Sequence, residues 1–242
     1  PEGSWKVWGG PSTSDFLRQV NTEAAAITRE PQGPFELMEE SPGKFAAFGI
    51  LDRTVEFQRA FYRSAKIPMH FRQADGEKLP VAFFGVRGST SGFFQESVSI
   101  LSWRPKDGTH AIAIRCKQEN EAVILYRPPF GQDFNTACLW IRTWRTRFDR
   151  EATSYGAWDD NRLHSNDEVR VPYVIIESRA DLGPLLKGLR SPEKGVPWTV
   201  SHAEQMTRFQ LHEKGARVRV ETSFGADPFG EPPPPPIPRK FI

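Results

Sequence analysis

The chain has 242 residues, 32 of them basic and 30 acidic, and its formal net charge is +2. That balance produces no large field of one sign, so neither nucleic acid nor an anionic membrane is expected as a partner. Hydrophobic residues make up 38% of the chain and the mean hydropathy is −0.52. No apolar run approaches the roughly 18 residues that a membrane-spanning helix needs. The length allows one large domain or two small ones.

Apolar residues at helical spacing predict three helices. Residues 1–13 are rich in Gly, Pro and Ser and are interpreted as an irregular lead-in. A first helix is predicted from a cap near Ser14 until Pro31 excludes further helix. A second helix is predicted over Phe134 to Arg147, and a shorter third one over Leu182 to Leu189.

Strand patterns fill most of the remaining chain. Asp75-Gly76 is a turn signal that predicts a hairpin between residues 69–71 and 79–84. Short turns within residues 98–126 predict an antiparallel meander of three strands. Further strands are predicted at 45–51, 169–176, 198–201, 208–211 and 217–222. The fold class is therefore expected to be α+β, with mostly antiparallel sheets and few helices.

Sequence patterns typical of catalysis or metal binding are weak. Gly88 to Gly92 resembles the nucleophile elbow of hydrolases only superficially, because Thr90 occupies the nucleophile position. The five histidines have no metal-ligand spacing. Cys116 and Cys138 are expected to be free thiols, although a disulfide between them is an alternative. We expect no enzyme, no metal and no cofactor.

Several segments, in order, resemble the serpin family. Val20-Asn21 with Thr28 is similar to its Asn-x-Trp-Val-x-x-x-Thr segment, and Phe57 to Phe61 to its Trp-x-x-Pro-Phe motif. Asp75-Gly76 with the following strand and Gly88 resembles an Asp-Gly strand motif, and Val171 to Leu182 resembles a Leu-Pro-Lys-Phe and Tyr-Asp-Leu segment. The resemblance spans Phe16 to Ile242 and identifies a partial serpin-like domain over 1–242. It lacks the amino-terminal helices and the last carboxyl-terminal strands of the family.

In serpins an exposed reactive loop is bait for a protease, and after cleavage it inserts into the large sheet as a new strand. The resemblance places this loop at residues 215–240, and its hinge at Gly215, Ala216, Val218, Val220 and Thr222. Alternation predicts that Ala216, Val218, Val220 and Thr222 face inward on insertion, while Arg217, Arg219 and Glu221 face solvent. Family spacing places the candidate scissile bond at Phe229-Gly230, which suits a chymotrypsin-like serine protease. Separately, residues 217–222 are open to interpretation as an edge strand or a permanently paired strand.

Two departures from the family pattern bear on inhibition. Gly49 and Gln205 stand where the family has an Asn and a His that hydrogen-bond across the opening of the large sheet. Val218 and Val220 are bulky for rapid insertion, since β-branched side chains are stiff. We therefore expect an inefficient protease inhibitor, or alternatively a non-inhibitory binding or scaffold protein. A monomer is expected, and an extracellular location is favoured by the resemblance alone. The absence of an initiator Met suggests a segment of a longer protein.

Overall fold

The structure is a computed structural model that describes residues 3–37, 40–72, 76–87, 93–104, 106, 108–129, 131–151, 163, 167–186 and 198–228. The chain divides into two compact units. The first consists of Pro1–Arg53, Ile175–Phe209 and Arg217–Ile242, and the second of Thr54–Val174 and Gln210–Ala216. Three sheets and three helices are found among the described residues, and each sheet contains antiparallel strand pairs, as predicted.

The first unit is built on a five-stranded sheet with the strand order β1-β2-β11-β10-β9. Its strands are β1 (Trp5–Ser12), β2 (Ser41–Glu56), β9 (Val174–Asp181), β10 (Trp198–His212) and β11 (Gly215–Pro228). It also contains helix α1 (Ser14–Thr28) and the short helix α3 (Gly183–Leu186). The two strands predicted at 198–201 and 208–211 are one continuous strand, β10. The irregular lead-in predicted over 1–13 is wrong for residues 5–12, which form β1 and pair with β2, because Gly and Pro in this segment hide a strand whose hydrogen-bond partner is distant in the chain.

Ser14, predicted as the cap, is the first residue of helix α1, and the capping side chain is that of Thr13, whose Oγ1 accepts a hydrogen bond from the Phe16 amide. Arg29, in the left-handed conformation, ends the helix. Val20 and Ala24, one turn apart, are fully buried. They pack with residues of β1, β2 and the segment after α1 in one hydrophobic core: Trp8, Phe35, Ala46, Phe48 and Ile50. The side of the five-stranded sheet that carries α1 is called the helix face below.

The second unit contains two three-stranded sheets. One has the order β3-β4-β8, with β3 (Tyr62–Arg72), β4 (Lys78–Val86) and β8 (Val169–Pro172). The other has the order β5-β6-β7, with β5 (Val98–Arg104), β6 (Thr109–Arg115) and β7 (Ala122–Arg127). Helix α2 (Phe134–Glu151) follows and is longer than predicted. The hairpin β3–β4 and the meander β5–β6–β7 confirm the predicted pairings.

Aromatic side chains form the core of the second unit. The rings of Phe57 and Phe61 meet edge to face at 5.4 Å, and Phe61 stacks on Phe94 at 4.9 Å. Phe84 lies 5.8 Å from Phe61 and is fully buried. The Phe57–Phe61 segment therefore anchors the start of this unit's core, since buried aromatic pairs contribute about 0.5–1.5 kcal/mol beyond their area.

The predicted strand 169–176 is interrupted at Tyr173. Val169–Pro172 pairs with β4, and the Tyr173 amide donates to the Ala82 carbonyl over 2.8 Å. β9 begins at the next residue. A periodic pattern alone does not show such a change of partner, because both strands share the same alternation. The predicted helix 182–189 is described only as Gly183–Leu186, and residues 187–189 lie outside the described residues.

Within the described part of the chain, no helix is both long and apolar enough to cross a membrane. No group of three or more His, Cys, Asp or Glu side chains in the same ranges could hold a metal ion.

Candidate functional site

The predicted hinge begins at a tight turn between β10 and β11. Glu213 and Lys214 form this turn, and their carbonyls accept hydrogen bonds from the amides of Phe61 and Phe57, both over 2.8 Å. The Lys214 amide donates to His212 Nδ1 over 3.2 Å. Backbone hydrogen bonds from Phe57 and Phe61 and a hydrogen bond to the His212 side chain thus hold the turn in place.

Gly215 is needed at this position for space. A Cβ built on it would lie 2.1 Å from the Val55 carbonyl oxygen, a distance at which the backbone must move. Its φ lies outside the left-handed region, so the freedom of glycine to adopt a positive φ is not used here. In this structure Gly215 allows close backbone approach, which is a different role from the hinge that the resemblance implies.

The predicted exposed loop is, for its described part, a central strand of the sheet. Residues 215–228 form β11, which is hydrogen-bonded to β2 on one side and to β10 on the other. The expectation of an exposed loop over 215–240 is therefore wrong for 215–228. Residues 217–222 pair with a neighbouring strand on each edge. Of the two alternatives, the permanently paired strand is therefore observed and the edge strand is not. The candidate scissile residues Phe229 and Gly230 lie outside the described residues.

The two faces of β11 differ in chemistry. A Cβ on Gly49 would lie 3.7 Å from Val7 Cγ2 and 3.9 Å from Thr222 Cβ, so these three residues share one face of the sheet. Side chains alternate along a strand, so Val218 and Val220 lie on that face with Thr222. They are half-buried, and Ala216 is buried. This face is called the opposite face, because Ala46, Phe48 and Ile50 place α1 on the other side.

Arg217, Arg219 and Glu221 lie on the helix face, and the prediction that they face solvent is wrong for Glu221, whose side chain is 12% exposed, and for Arg219. That residue is 6% exposed, and its guanidinium forms ion pairs with Glu30, just beyond α1, and with Glu221. The sequence pattern gives the alternation but not the acid that covers the arginine. Glu30 is the oppositely charged partner that offsets the cost of burying the Arg219 guanidinium.

Arg217 extends the same charged group. Its guanidinium holds Asp52 of β2 in a bidentate pair, with Nε–Oδ1 at 3.0 Å and Nη2–Oδ2 at 2.5 Å. Arg217 Nη2 also lies 3.8 Å from Glu30 Oε1. The five side chains Glu30, Asp52, Arg217, Arg219 and Glu221 are called the charge cluster below.

The charge cluster favours the ionised arginines. The hydrogen bond to Asp52 raises the pKa of Arg217 above its usual value. Burial alone lowers the pKa of Arg219, but the hydrogen bond to Glu30 and the charge of Glu221 outweigh it, so this pKa is raised as well. Both arginines stay charged, and β11 is held to the neighbouring strand and to the end of α1 by charge-assisted bonds.

Glu30 and Asp52 were not singled out from the sequence. Both are isolated acids, one after a helix and one within a strand pattern, and they lie 189 and 165 positions from their arginine partners. The available signal was on β11 itself: two arginines at alternate positions of a strand that otherwise reads as half-buried require acidic partners if the strand is internal.

The two departures from the family pattern lie on strands that β11 separates. Gly49 is on β2, and Gln205 on β10 donates from Nε2 to Thr207 Oγ1 over 3.3 Å. With β11 between them, β2 and β10 are not neighbours. A hydrogen bond across an open sheet therefore has no place in this arrangement.

No protein-family model matches the chain, and no curated protein matches its sequence. Solved structures do. Human thyroxine-binding globulin with a cleaved reactive loop aligns over 94% of this chain and 75% of its own, with 11% identity and a TM-score of 0.58. The viral serpin CrmA aligns over 93% of this chain and 83% of its own, with 13% identity and a TM-score of 0.58. The loop-inserted structure of a cleaved ovalbumin mutant aligns over 93% and 67%, with 11% identity and a TM-score of 0.53.

The chain has a serpin-like fold. At these identities the likeness establishes the fold alone. It confirms the fold class and the resemblance predicted from the order of the sequence motifs.

Proposed function

We propose that this serpin-like chain is a non-enzymatic binding or scaffold protein that does not trap proteases. The observation that carries the proposal is the position of β11. In the uncleaved chain, residues 215–228 already form the strand between β2 and β10. A mechanism driven by insertion of that segment has no further strand to insert.

Several contacts support β11 as a resident strand, that is, a permanent member of the sheet in the intact chain. Arg219 is buried against Glu30, Arg217 holds Asp52, and Gly215 packs on the Val55 backbone. Removing one member of a buried ion pair destabilises a protein by about 3–5 kcal/mol, because the other charge is left uncompensated. Withdrawal of β11 would expose or orphan several such groups at once.

Hydrogen exchange on the intact chain tests the resident strand. Amides of residues 217–222 are expected to exchange as slowly as those of β2, because pairing on both edges protects them. Fast exchange of this segment in uncleaved protein, with β2 protected, would overturn the proposal.

Mixing with proteases gives a second, functional test. With chymotrypsin-like and trypsin-like enzymes, no covalent complex should survive a denaturing gel, and cleavage should leave the melting temperature unchanged. A complex formed at near one-to-one stoichiometry would establish an inhibitor instead.

Protease inhibition is the second candidate, and the descriptions of two similar solved structures favour it. A similar structure is described as reactive loop cleaved and another as loop-inserted. The resemblance implies that a strand in this place can be a loop that has moved. Under this candidate the intact chain would pass through a state with 215–240 exposed, and Phe229-Gly230 would be the scissile bond for a chymotrypsin-like protease.

A Phe229→Ala variant tests that bond. Burying an aromatic side chain in a specificity pocket contributes on the order of 2–3 kcal/mol, so chymotrypsin cleavage after residue 229 should fall by more than tenfold. Phe224→Ala is the matched control, since Phe224 lies within β11. Equal cleavage rates of wild type and Phe229→Ala would remove Phe229 as the recognition residue.

A further inference from the structure

A cavity of about 320 Å³ lies at the end of the five-stranded sheet where β2 and β10 begin and β11 ends. Its lining comes from the start of β2, the start of β10, the last residues of β11 and the segment that follows α1. This volume is at the lower end of the range of about 300–1,000 Å³ that is usual for small-molecule pockets. At the roughly 30 Å³ that a water molecule occupies in the liquid, it has room for about ten non-hydrogen atoms.

Part of the wall is apolar. Leu37 and Phe48 contribute apolar side chains from the edge of the core under α1, and the smaller Ala46 is also part of the lining. Phe45 and Phe224 also line the cavity, but alternation along the strands places their rings, which meet at 6.5 Å, on the opposite face of the sheet. A hydrophobic or aromatic body would find burial here without displacing a charged group.

The polar part of the lining carries an excess of carboxylate. Glu36 and Asp227 supply two carboxylates and Lys44 one ammonium, so the formal charge of the lining is −1 with His202 counted as neutral. Lys44 Nζ lies 3.1 Å from Asp227 Oδ1. Among the described residues no donor makes a well-directed hydrogen bond to that oxygen, so the contact is ionic in character.

The second carboxylate oxygen of Asp227 is the accessible one. Oδ1 is buried, whereas the whole side chain is 35% exposed. On the facing strand, His202 Nε2 lies 3.2 Å from Ser223 Oγ, which places one further polar pair at the rim. An incoming group that donates hydrogen bonds and carries positive charge complements this arrangement.

We propose that this cavity binds a small amphipathic primary amine, with the ammonium at Asp227 and Glu36 and the apolar body against Leu37 and Phe48. The inference rests on the proposed function in one respect: Ser223 to Asp227 reach the cavity only while β11 is in the sheet. A ligand that binds this form alone also stabilises it, by mass action.

Calorimetric titration of the full chain with 2-phenylethylammonium chloride tests the proposal. Saturable binding is expected, and it should be at least tenfold weaker for phenylacetate, which has an anionic head on the same ring. 2-Phenylethanol should also bind at least tenfold more weakly, because it lacks the charge. Equal affinity for all three compounds, or no saturation by the amine at millimolar concentration, overturns the proposal.

Two variants locate the site. Gly225→Val adds apolar volume at a lining position without changing any charge. A Cβ there would have Ser201 Oγ at 3.4 Å and His202 Cβ at 3.8 Å as its nearest neighbours, and both residues line the cavity. Amine binding should be lost. Asp227→Asn should weaken it at least tenfold, while Glu177→Gln, at an exposed acid of β9, should leave it unchanged. Full amine binding by a folded Gly225→Val variant places the amine elsewhere and overturns the proposal.

Hydrogen exchange separates the two possible failures. If 217–222 are protected and the amine does not bind, the cavity proposal fails while the resident strand stands. If 217–222 exchange fast, the proposed function fails first, and the cavity fails with it.

Discussion

The two faces of β11 are held by different forces. On the helix face, Arg217 and Arg219 are fixed by directed, charge-assisted bonds to Asp52 and Glu30. On the opposite face, Val218, Val220 and Thr222 are half-buried and contribute buried surface area rather than directed, charge-assisted bonds. The register of this strand is therefore specified by the charged face, because a one-residue slip would place the arginines on the side away from Asp52 and Glu30.

Gly215→Val is expected to have the largest effect on this arrangement. The added atoms would meet the Val55 carbonyl oxygen at 2.1 Å, so the backbone of the turn must move. Overpacking of this kind costs about 3 kcal/mol, which urea unfolding would measure as a lowered midpoint. Gly49→Ala is the control: its Cβ has neighbours at 3.7 Å and 3.9 Å, and it should change stability by less than about 1 kcal/mol. A Gly215→Val protein as stable as wild type would show that the turn yields easily.

Glu30→Ala is expected to have the second largest effect on stability. It leaves the buried Arg219 with Glu221 as its remaining partner. The free energy of unfolding is therefore expected to fall by about 2 kcal/mol, which is below the usual range for a broken buried pair. Glu177→Ala removes an acid that is 65% exposed and lies 3.6 Å from Arg208. This control should cost less than about 1 kcal/mol. If the two variants lose equal stability in urea, the charged face does not dominate.

Val218→Ala tests the opposite face. About two methyl groups are removed from a half-buried site, so the expected loss is about 1 kcal/mol, smaller than that of Glu30→Ala. Denaturant unfolding again measures it. A loss larger than that of Glu30→Ala would reverse the comparison between the faces.

The smallest effect is expected at an exposed charge contact of the same unit. Lys6 and Trp8 both donate to Glu23, and together with Gln19 they lower the pKa of Glu23 to about 2. A lowered folded-state pKa means that the stabilisation is present above the unfolded value of 4.5 and is lost as pH falls toward 2. Glu23→Gln should therefore be less stable than wild type at pH 6, and the difference should disappear near pH 2. A difference that is constant across this range would contradict the assignment.

The sequence predicted those parts of the fold that depend on local pattern. The helix at Ser14, the β3–β4 hairpin and the meander at 98–126 rest on periodicity and turn residues close in the chain, and all three are confirmed. The order of motifs also predicted the serpin-like fold.

The placement of residues 215–228 could not be predicted in the same way. A strict alternation is compatible with an exposed segment that can insert and with a strand that is already paired. The deciding contacts come from Glu30, Asp52 and Val55, which are more than 150 positions away and carry no local signal. The roles of Gly215, Phe229 and Gly230 in recognition by a protease remain predictions.

The two-residue turn at Glu213-Lys214 has a consequence for the order of folding. Because it joins β10 directly to β11, their pairing is local, and hairpins of this kind form within about 1–10 µs. Contact of Arg217 with Asp52 spans 165 positions and closes far later, since distant contacts pay a larger loop entropy. β11 thus joins the forming sheet already paired with β10, and β2 pairs with β11 in a later step.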